Sequence, residues 1–274
     1  MKYKTHRITI ESEGHPLRLL ILQPIGAANA PCTGVLWIHG GGYETGMPEM
    51  VYFSRAKNLV KKYGAVVVAP DYRLSPQAPY PAALLDCHNA LVYLREHAAA
   101  LHVRDDQIMV GGESAGGGLT AALCTYERDK GGVRIAFQMP LYPMLDNKDT
   151  ETSRDNHAPV WNTKRNHAAW KRYLRDISGQ EIPAYAAPAR QTDYANLPPA
   201  YTFICTAEPF YAETLTYIQN LKNAGVEAAV DVYPNLFHAF DMLLPFLKVS
   251  KQAAAAFERQ FEAAQQRYFA KQNQ

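Results

Sequence analysis

The sequence predicts an α/β fold in which a mostly parallel sheet is covered by helices on both faces. The stretches "TGVLWIH" and "GAVVVAPDY" are nearly continuous apolar runs, typical of strands that are buried on both faces. Between them, "MVYFSRAKNLVKKYG" has helical spacing and ends at Gly64, a suitable C-cap. Because this alternation continues to the C-terminus, it favours one α/β domain over residues 1–274.

The other elements follow in order. "HRITIESEGHPLRLLILQP" alternates apolar and polar residues around a glycine turn, which predicts an antiparallel hairpin. The next segments predict a helix from Pro81 ("PAALLDCHNALVYLREHAAAL"), a strand ("DQIMVGG"), a helix ("AGGGLTAALCTYERDKGG") and a strand ("VRIAFQMPLY"). The last segments predict a strand ("AYTFICTA"), a helix ("YAETLTYIQNLKNAG"), a strand ("EAAVDVYP") and a closing helix near 245–269.

Residues 146–190 depart from this alternation. The segment is polar and has helical spacing only around 163–175. A long insertion in a compact α/β domain is usually functional. Its aromatic residues Trp161, Trp170 and Tyr173 argue against disorder. We therefore expect 146–190 to form a lid within the single domain.

Composition limits the possible partners. The chain has a formal net charge of +2 with 20% charged residues, which gives no electrostatic reason to expect a nucleic-acid partner. It has no apolar run long enough for a membrane span and no apolar signal segment near its N-terminus, so we expect a cytoplasmic protein without a membrane partner. Four scattered cysteines without a CxxC pair predict neither a zinc site nor a disulfide framework.

A candidate nucleophile lies in "IMVGGESAGGGLT". Ser114 occupies the centre of a G-x-S-x-G pattern between a predicted strand and a predicted helix. A tight strand-to-helix turn of this kind holds the serine hydroxyl clear of its neighbours, and the helix N-terminus adds a positive partial charge. This context favours a nucleophile over a phosphate-binding loop, for which the characteristic lysine is missing.

A serine nucleophile needs a general base. Of nine histidines, His238 in "VYPNLFHAF" follows the last predicted strand, where open α/β sheets place their sites. The base in turn needs a carboxylate to orient it. Glu208, directly after the strand "AYTFICTA", is the leading candidate, and Glu213 is the alternative, while Asp193 and Asp231 are weaker.

The run "LWIHGGGY" places three glycines after a predicted buried strand. Acyl transfer creates an oxyanion, and backbone amides without side chains in the way can approach it closely. We expect the amides of Gly40 and Gly41, with that of Ala115, to form the oxyanion hole. Gly42 is a further candidate donor, and His39 is expected to brace the loop.

With these residues the chain resembles the hormone-sensitive-lipase-like esterases of the α/β-hydrolase fold. The similar segments are "HGGGY", "VVVAPDYRLSPQAPYPAALLD", "GGESAGGGL", "LPPAYTFICTAEPF" and "FHAF", between about residues 33 and 240. The resemblance implies hydrolysis of carboxylic esters by a Ser–acid–His triad without a cofactor or a metal. Within "DYRLSP", we expect Asp71 and Arg73 to tie the loop beneath the HGGG segment.

Two departures from the family pattern matter. The family usually has Asp-Pro at the acid position, where this chain has Glu208-Pro209. Many members also carry a long helical cap before the HGGG segment, whereas the residues before His39 are predicted as strands here. A reduced cap built mainly from 146–190 suggests a shallow acyl pocket.

The sequence therefore predicts a serine carboxylesterase that acts on short, acetyl to butyryl, esters through Ser114, Glu208 and His238. The alternatives are an amidase, formamidase or small peptidase with the same triad, or a non-catalytic ligand receptor on the same fold. The expected partner is a small-molecule ester, and a homodimer is left open.

Overall fold

A computed structural model describes residues 1–26 and 31–272. The predicted domain 1–274 also includes 27–30 and 273–274, which lie outside the described residues. Eight strands form one sheet in the order β1-β2-β4-β3-β5-β6-β7-β8. The strands are β1 (Tyr3–Ser12), β2 (His15–Pro24), β3 (Cys32–Ile38), β4 (Val66–Pro70), β5 (Val103–Glu113), β6 (Phe137–Leu141), β7 (Ala200–Cys205) and β8 (Ala228–Tyr233).

The sheet is mixed at one edge and parallel elsewhere. Strand β1 pairs with β2 along its whole length, from Tyr3 opposite Pro24 to Ser12 opposite His15, and β2 pairs antiparallel with β4. All pairings from β4 through β3 to β8 are parallel. This arrangement confirms the predicted mostly parallel sheet and its antiparallel start.

Helices follow the strands as the alternation predicts. They are α1 (Ala56–Tyr63), α2 (Ala82–Glu96), α3 (Ala115–Lys130), α4 (Thr163–Tyr173), α5 (Tyr211–Asn223), α6 (Phe240–Leu243) and α7 (Lys248–Arg267). Helix α2 packs against α3, and α1 packs against α7. Among the described residues, no helix is both long enough and apolar enough to cross a bilayer.

One predicted helix was wrong in part. The segment expected to be helical over 50–64 divides into a 3-10 helix, Pro48–Tyr52, and α1. Between the two pieces, the hydroxyl of Ser54 accepts a hydrogen bond at 3.1 Å from the amide of Ala56, the first residue of α1. A local side-chain to backbone hydrogen bond therefore lies at the point where the helix predicted from the apolar spacing is interrupted.

The strand order determines where the candidate site lies on the sheet. Strand β3 has β4 on one side and β5 on the other, so the loops that follow β3 and β5 diverge at a topological switch point. Ligands of open α/β sheets bind at the carboxyl ends of the strands at such a point. The three glycines follow β3 and Ser114 follows β5, so both motifs meet there.

Candidate active site

Ser114 sits on a sharp turn between β5 and α3. Its backbone has φ 57° and ψ −119°, a sparsely populated conformation for a residue with a side chain. The flanking glycines make the turn possible. A Cβ on Gly112 would come within 2.4 Å of the Ile38 carbonyl oxygen, and one on Gly116 within 2.1 Å of the same atom. The close approach of β3 therefore excludes any larger residue at those two positions.

Three sequence-predicted residues lie in one hydrogen-bonded line. Ser114 Oγ lies 2.8 Å from Nε2 of His238. Nδ1 of the same ring contacts Oε2 of Glu208. The carboxylate requires a proton on Nδ1, which leaves Nε2 as the acceptor for the serine hydroxyl. The line is nearly closed to solvent, since the exposed fractions are 7% for Ser114, 3% for His238 and 0% for Glu208.

The other carboxyl candidates lie in different surroundings. Oε1 of Glu213 accepts a hydrogen bond from the amide of Leu145 at 2.7 Å, at the start of the insertion. Burial raises the pKa of Glu213 well above its usual range. Asp231 accepts from the Tyr201 hydroxyl at 2.8 Å, and Asp193 accepts from the amide of Ala195 at 2.9 Å. The structure thus brings Glu208 to the histidine and uses the others elsewhere.

The glycine loop lies directly beside the nucleophile. A Cβ on Gly40 would come within 3.2 Å of the Cβ of Ser114, and Gly40 and Gly41 line the same pocket as Ser114. Ala115 begins α3 and is fully buried. Gly40 therefore lies beside Ser114, and Ala115 follows Ser114 at a helix N-terminus whose dipole favours negative charge.

Buried aromatic contacts hold this loop. The His39 ring stacks on Tyr72 with centroids 4.1 Å apart, and its Nδ1 donates to the Gly40 carbonyl at 2.8 Å. Burial lowers the pKa of His39, which favours the neutral ring. The Tyr72 hydroxyl donates to the His39 carbonyl at 3.0 Å. His39 braces the loop as expected.

Asp71 and Arg73 tie the segment after β4 in place, as expected, and each does so through an ion pair. Asp71 pairs with Arg18 on β2. Arg73 forms an ion pair with the buried Asp86 at 2.8 Å, on α2. The two charged residues anchor the segment to a strand and a helix, and Tyr72 between them makes the contact with the glycine loop.

A cavity of about 470 Å³ opens onto Ser114, within the range of small-molecule sites. Its walls combine the glycine loop with residues of the insertion and of the turn after His238. Apolar side chains dominate them: Met50, Val160, Trp161, Ala168, Met242 and Leu243. The walls next to the hydroxyl are therefore mostly apolar, as is usual for small-molecule pockets.

Comparison with known proteins agrees with this geometry. The family described as alpha/beta hydrolase fold matches residues 35–242. The chain belongs to the α/β-hydrolase family. Esterase LipI of Mycobacterium tuberculosis is 33% identical over 215 residues, which cover 78% of this chain and 66% of that protein. Carboxylesterase NlhH of the same organism is 32% identical over 79% of this chain and 68% of that protein.

Solved structures of this hydrolase family show the same architecture. A bacterial heroin esterase has a TM-score of 0.88 at 32% identity, covering 93% of this chain and 82% of that one. Esterase LipW of Mycobacterium marinum has a TM-score of 0.88 at 29% identity, covering 96% and 82%. These similarities confirm the predicted fold, the resemblance to the hormone-sensitive-lipase-like family and the enzyme class of ester hydrolases.

The hydrolase site also contains a buried charged cluster that the sequence did not reveal. Arg55 Nε lies 3.2 Å from Oδ2 of Asp241, three residues after the candidate base. Glu113, next to Ser114, accepts from Trp37 Nε1 at 2.9 Å. Burial, with the nearby charge of Asp241, raises the pKa of Glu113 to about 8. The only visible sequence signal was the acidic residue inside the G-x-S-x-G pattern.

Proposed function

We propose that this protein is a serine carboxylesterase that hydrolyses small esters with acetyl to butyryl acyl groups. The observation that carries the proposal is the buried line from Ser114 through His238 to Glu208 beside the glycine loop. Nucleophile, base and orienting acid in hydrogen-bond reach are the geometric requirements for covalent acyl transfer. The named esterase relatives support the same reaction type.

In the proposed reaction, Nε2 of His238 takes the proton from Ser114 as Oγ attacks the ester carbonyl. The carbonyl oxygen becomes negative and is held by the amides of Gly40, Gly41 and Ala115. The histidinium then gives its proton to the departing alkoxide, so the alcohol leaves and an acyl-serine remains. Water, deprotonated by the same nitrogen, attacks that acyl group and restores the serine.

Glu208 supports each of these proton transfers. Oε1 accepts from the amide of Cys205 at 3.1 Å, which fixes the carboxylate at the end of β7. Oε2 then accepts from Nδ1 of His238 and stabilises the positive ring. The extra methylene of Glu, compared with the Asp usual in the family, is accommodated by this anchoring.

The short-acyl preference rests on the shape of the pocket. Val160 and Trp161 of the insertion form part of the apolar wall of the cavity onto which Ser114 opens. Burying each additional methylene favours binding by about 0.8 kcal/mol only while space remains for it. An acyl chain longer than the apolar wall gains no further binding free energy, and it collides with the indole ring of Trp161.

The test is a series of initial rates on p-nitrophenyl esters from acetate to palmitate, with Ser114→Ala as the matched blank. We expect the highest kcat/KM at acetate or butyrate and a loss of at least about 10⁴-fold in the blank. Full turnover in Ser114→Ala would refute the triad. Hydrolysis of anilides without hydrolysis of esters would instead identify an amidase, and binding without turnover would identify a receptor.

A further inference from the structure

A strained turn lies at the centre of the insertion. Val160 has φ 70°, and the amide of Trp161 donates to the carbonyl of Pro159 at 2.8 Å. This bond spans two residues and makes a γ-turn with a positive central φ, the rare and strained form. A β-branched residue is a genuine outlier in that region of backbone space. Strain of this kind persists where surrounding contacts impose it, and it concentrates at ligand clamps.

Hydrogen bonds with the first turn of α4 hold this γ-turn in place. Nη1 of Arg165 donates to the carbonyl of Val160 at 2.5 Å. The side chain of Asn162 accepts from the amide of Arg165 at 3.1 Å and caps the helix. The indole Nε1 of Trp161 donates to Oδ1 of Asn166 at 3.3 Å. The first turn of the helix therefore holds both the backbone of Val160 and the ring of Trp161.

The ring of Trp161 presses on the glycine loop. A Cβ on Gly42, which has φ 63°, would come within 2.3 Å of the indole, so the ring rests on bare backbone. The indole centroid also lies 6.3 Å from the ring of Phe210 and 6.3 Å from that of His238. The indole thus spans the space between the predicted oxyanion donors and the end of β7.

The proton transfer in the proposed reaction indicates where in the pocket the alcohol and the acyl chain lie. The alkoxide takes its proton from Nε2 of His238, which lies 2.8 Å from Ser114 Oγ, so the alcohol leaves beside that nitrogen. With the carbonyl oxygen turned toward the glycine amides, the acyl chain is left with the wall that Trp161 forms where its ring rests on Gly42. We propose that Trp161, held by the γ-turn at Val160 and by Arg165, sets the upper limit of acyl-chain length.

This inference rests on the proposed esterase function and identifies the residue behind its specificity. Trp161 needs no chemical role, because it acts by occupying the space that further methylenes would fill. Phe or Leu at the same position leaves part of that space open, and Ala opens most of it. The alcohol side is expected to be unaffected.

The experiment measures kcat/KM of the full chain for p-nitrophenyl acetate, butyrate, hexanoate, octanoate and decanoate. Trp161→Ala is expected to raise the ratio of octanoate to butyrate at least about tenfold, with Trp161→Leu and Trp161→Phe raising it less. Arg165→Gln is expected to raise the ratio as well, because the turn loses its support. Lys171→Gln, an exposed residue on the same helix, is the matched control and is expected to keep the wild-type ratio.

A second series separates the acyl side from the alcohol side. With methyl, butyl and phenyl butyrate, the ratios of the Trp161 variants are expected to stay within about twofold of wild type. An unchanged octanoate-to-butyrate ratio in folded Trp161→Ala, or a change confined to the alcohol series, would overturn the assignment of Trp161 while leaving the esterase function intact. Absence of ester hydrolysis in wild type would overturn both.

Thermal unfolding of each variant shows whether it folds. If Trp161→Ala does not fold, the octanoate-to-butyrate ratio of Trp161→Leu tests the inference, since Leu retains an apolar contact with the glycine loop. An unchanged acyl profile in that variant would overturn the inference in the same way.

Discussion

Glu208 and Glu213 are both buried carboxyls near the end of β7, and their partners separate their roles. Glu208 contacts the ring of His238, whereas Glu213 contacts the amide of Leu145. Position in the chain favoured Glu208, which directly follows the strand, but it left Glu213 as an alternative. The difference is one of direction, since Glu208 lies in the turn before α5 and Glu213 lies on the helix itself.

Because the two glutamates have different partners, replacing each by the isosteric glutamine is expected to affect kcat differently. Glu208→Gln is expected to lower kcat roughly 10³–10⁴-fold, because the neutral amide neither selects the Nδ1 tautomer nor stabilises the histidinium. Glu213→Gln is expected to keep kcat within about threefold, because Glu213 contacts the amide of Leu145 and not the histidine, and the oxygen of Gln can accept the same hydrogen bond. Steady-state kinetics on p-nitrophenyl butyrate measures both. The reverse pattern would make Glu213 the orienting acid.

Glu113 predicts a pH dependence of stability. Its pKa is raised by burial to about 8, so between about pH 5 and 8 the folded state holds a proton that the unfolded state has lost. The free energy of unfolding therefore falls as pH rises through this window, by up to about 1.4 kcal/mol per pH unit, and the loss is complete above the folded pKa.

Glu113→Gln is expected to remove that contribution, since the amide cannot titrate and its oxygen can still accept from Trp37. Urea unfolding at half-unit steps from pH 5 to 9 measures the slope. Glu181→Gln, at an exposed position in the insertion, is the control and should reproduce the wild-type slope. An equally steep slope in Glu113→Gln would show that the proton is bound elsewhere.

At the scale of elements, helix α4 is joined to the glycine loop through aromatic stacking. The ring of Tyr43 stacks on Tyr173 with centroids 4.0 Å apart and packs against Trp170 at 5.5 Å. Arg172 of the same helix pairs with Glu44. The insertion and the loop that carries the predicted oxyanion donors are thus one packed unit.

Tyr173→Ala is therefore expected to lower both stability and turnover. Truncating a fully buried aromatic side chain costs about 3–5 kcal/mol, and the cavity under Tyr43 would loosen the loop. Tyr173→Phe keeps the ring stack and is expected to retain most of the activity. Urea unfolding and kcat on p-nitrophenyl butyrate measure the two effects. A stable, fully active Tyr173→Ala would show that the stack does not position the loop.

The elements differ in how far the sequence could predict them. The buried strands were clear because apolar runs such as "VLWI" and "VVVAP" have no alternative place in a soluble fold. The glycine loop and the serine turn were equally clear, because each needs bare backbone at fixed positions. The break at Ser54 depends on one local hydrogen bond, which apolar spacing does not record. The pair of Arg55 with Asp241, which are 186 residues apart, arises only from tertiary packing.

The whole molecule assembles the site from four strand ends. Strand β3 supplies the glycine loop, β5 the serine, β7 the glutamate and β8 the chain that leads to the histidine. Because these strands share one sheet, a change that separates any two of them separates the reacting groups. Residues of the insertion line the pocket at this end of the sheet and pack on the glycine loop, so the candidate site and the insertion share one packed core.

This dependence predicts a single cooperative unfolding transition that includes the insertion. Two of the three tryptophans, Trp161 and Trp170, lie in the insertion, so intrinsic fluorescence reports mainly on that segment. Far-ultraviolet circular dichroism reports on the sheet and helices as a whole. We expect the two urea transitions to coincide in midpoint and slope, as they do when one core unfolds in a single step. An earlier fluorescence transition would show that 146–190 unfolds separately, and the single-domain prediction would then be wrong.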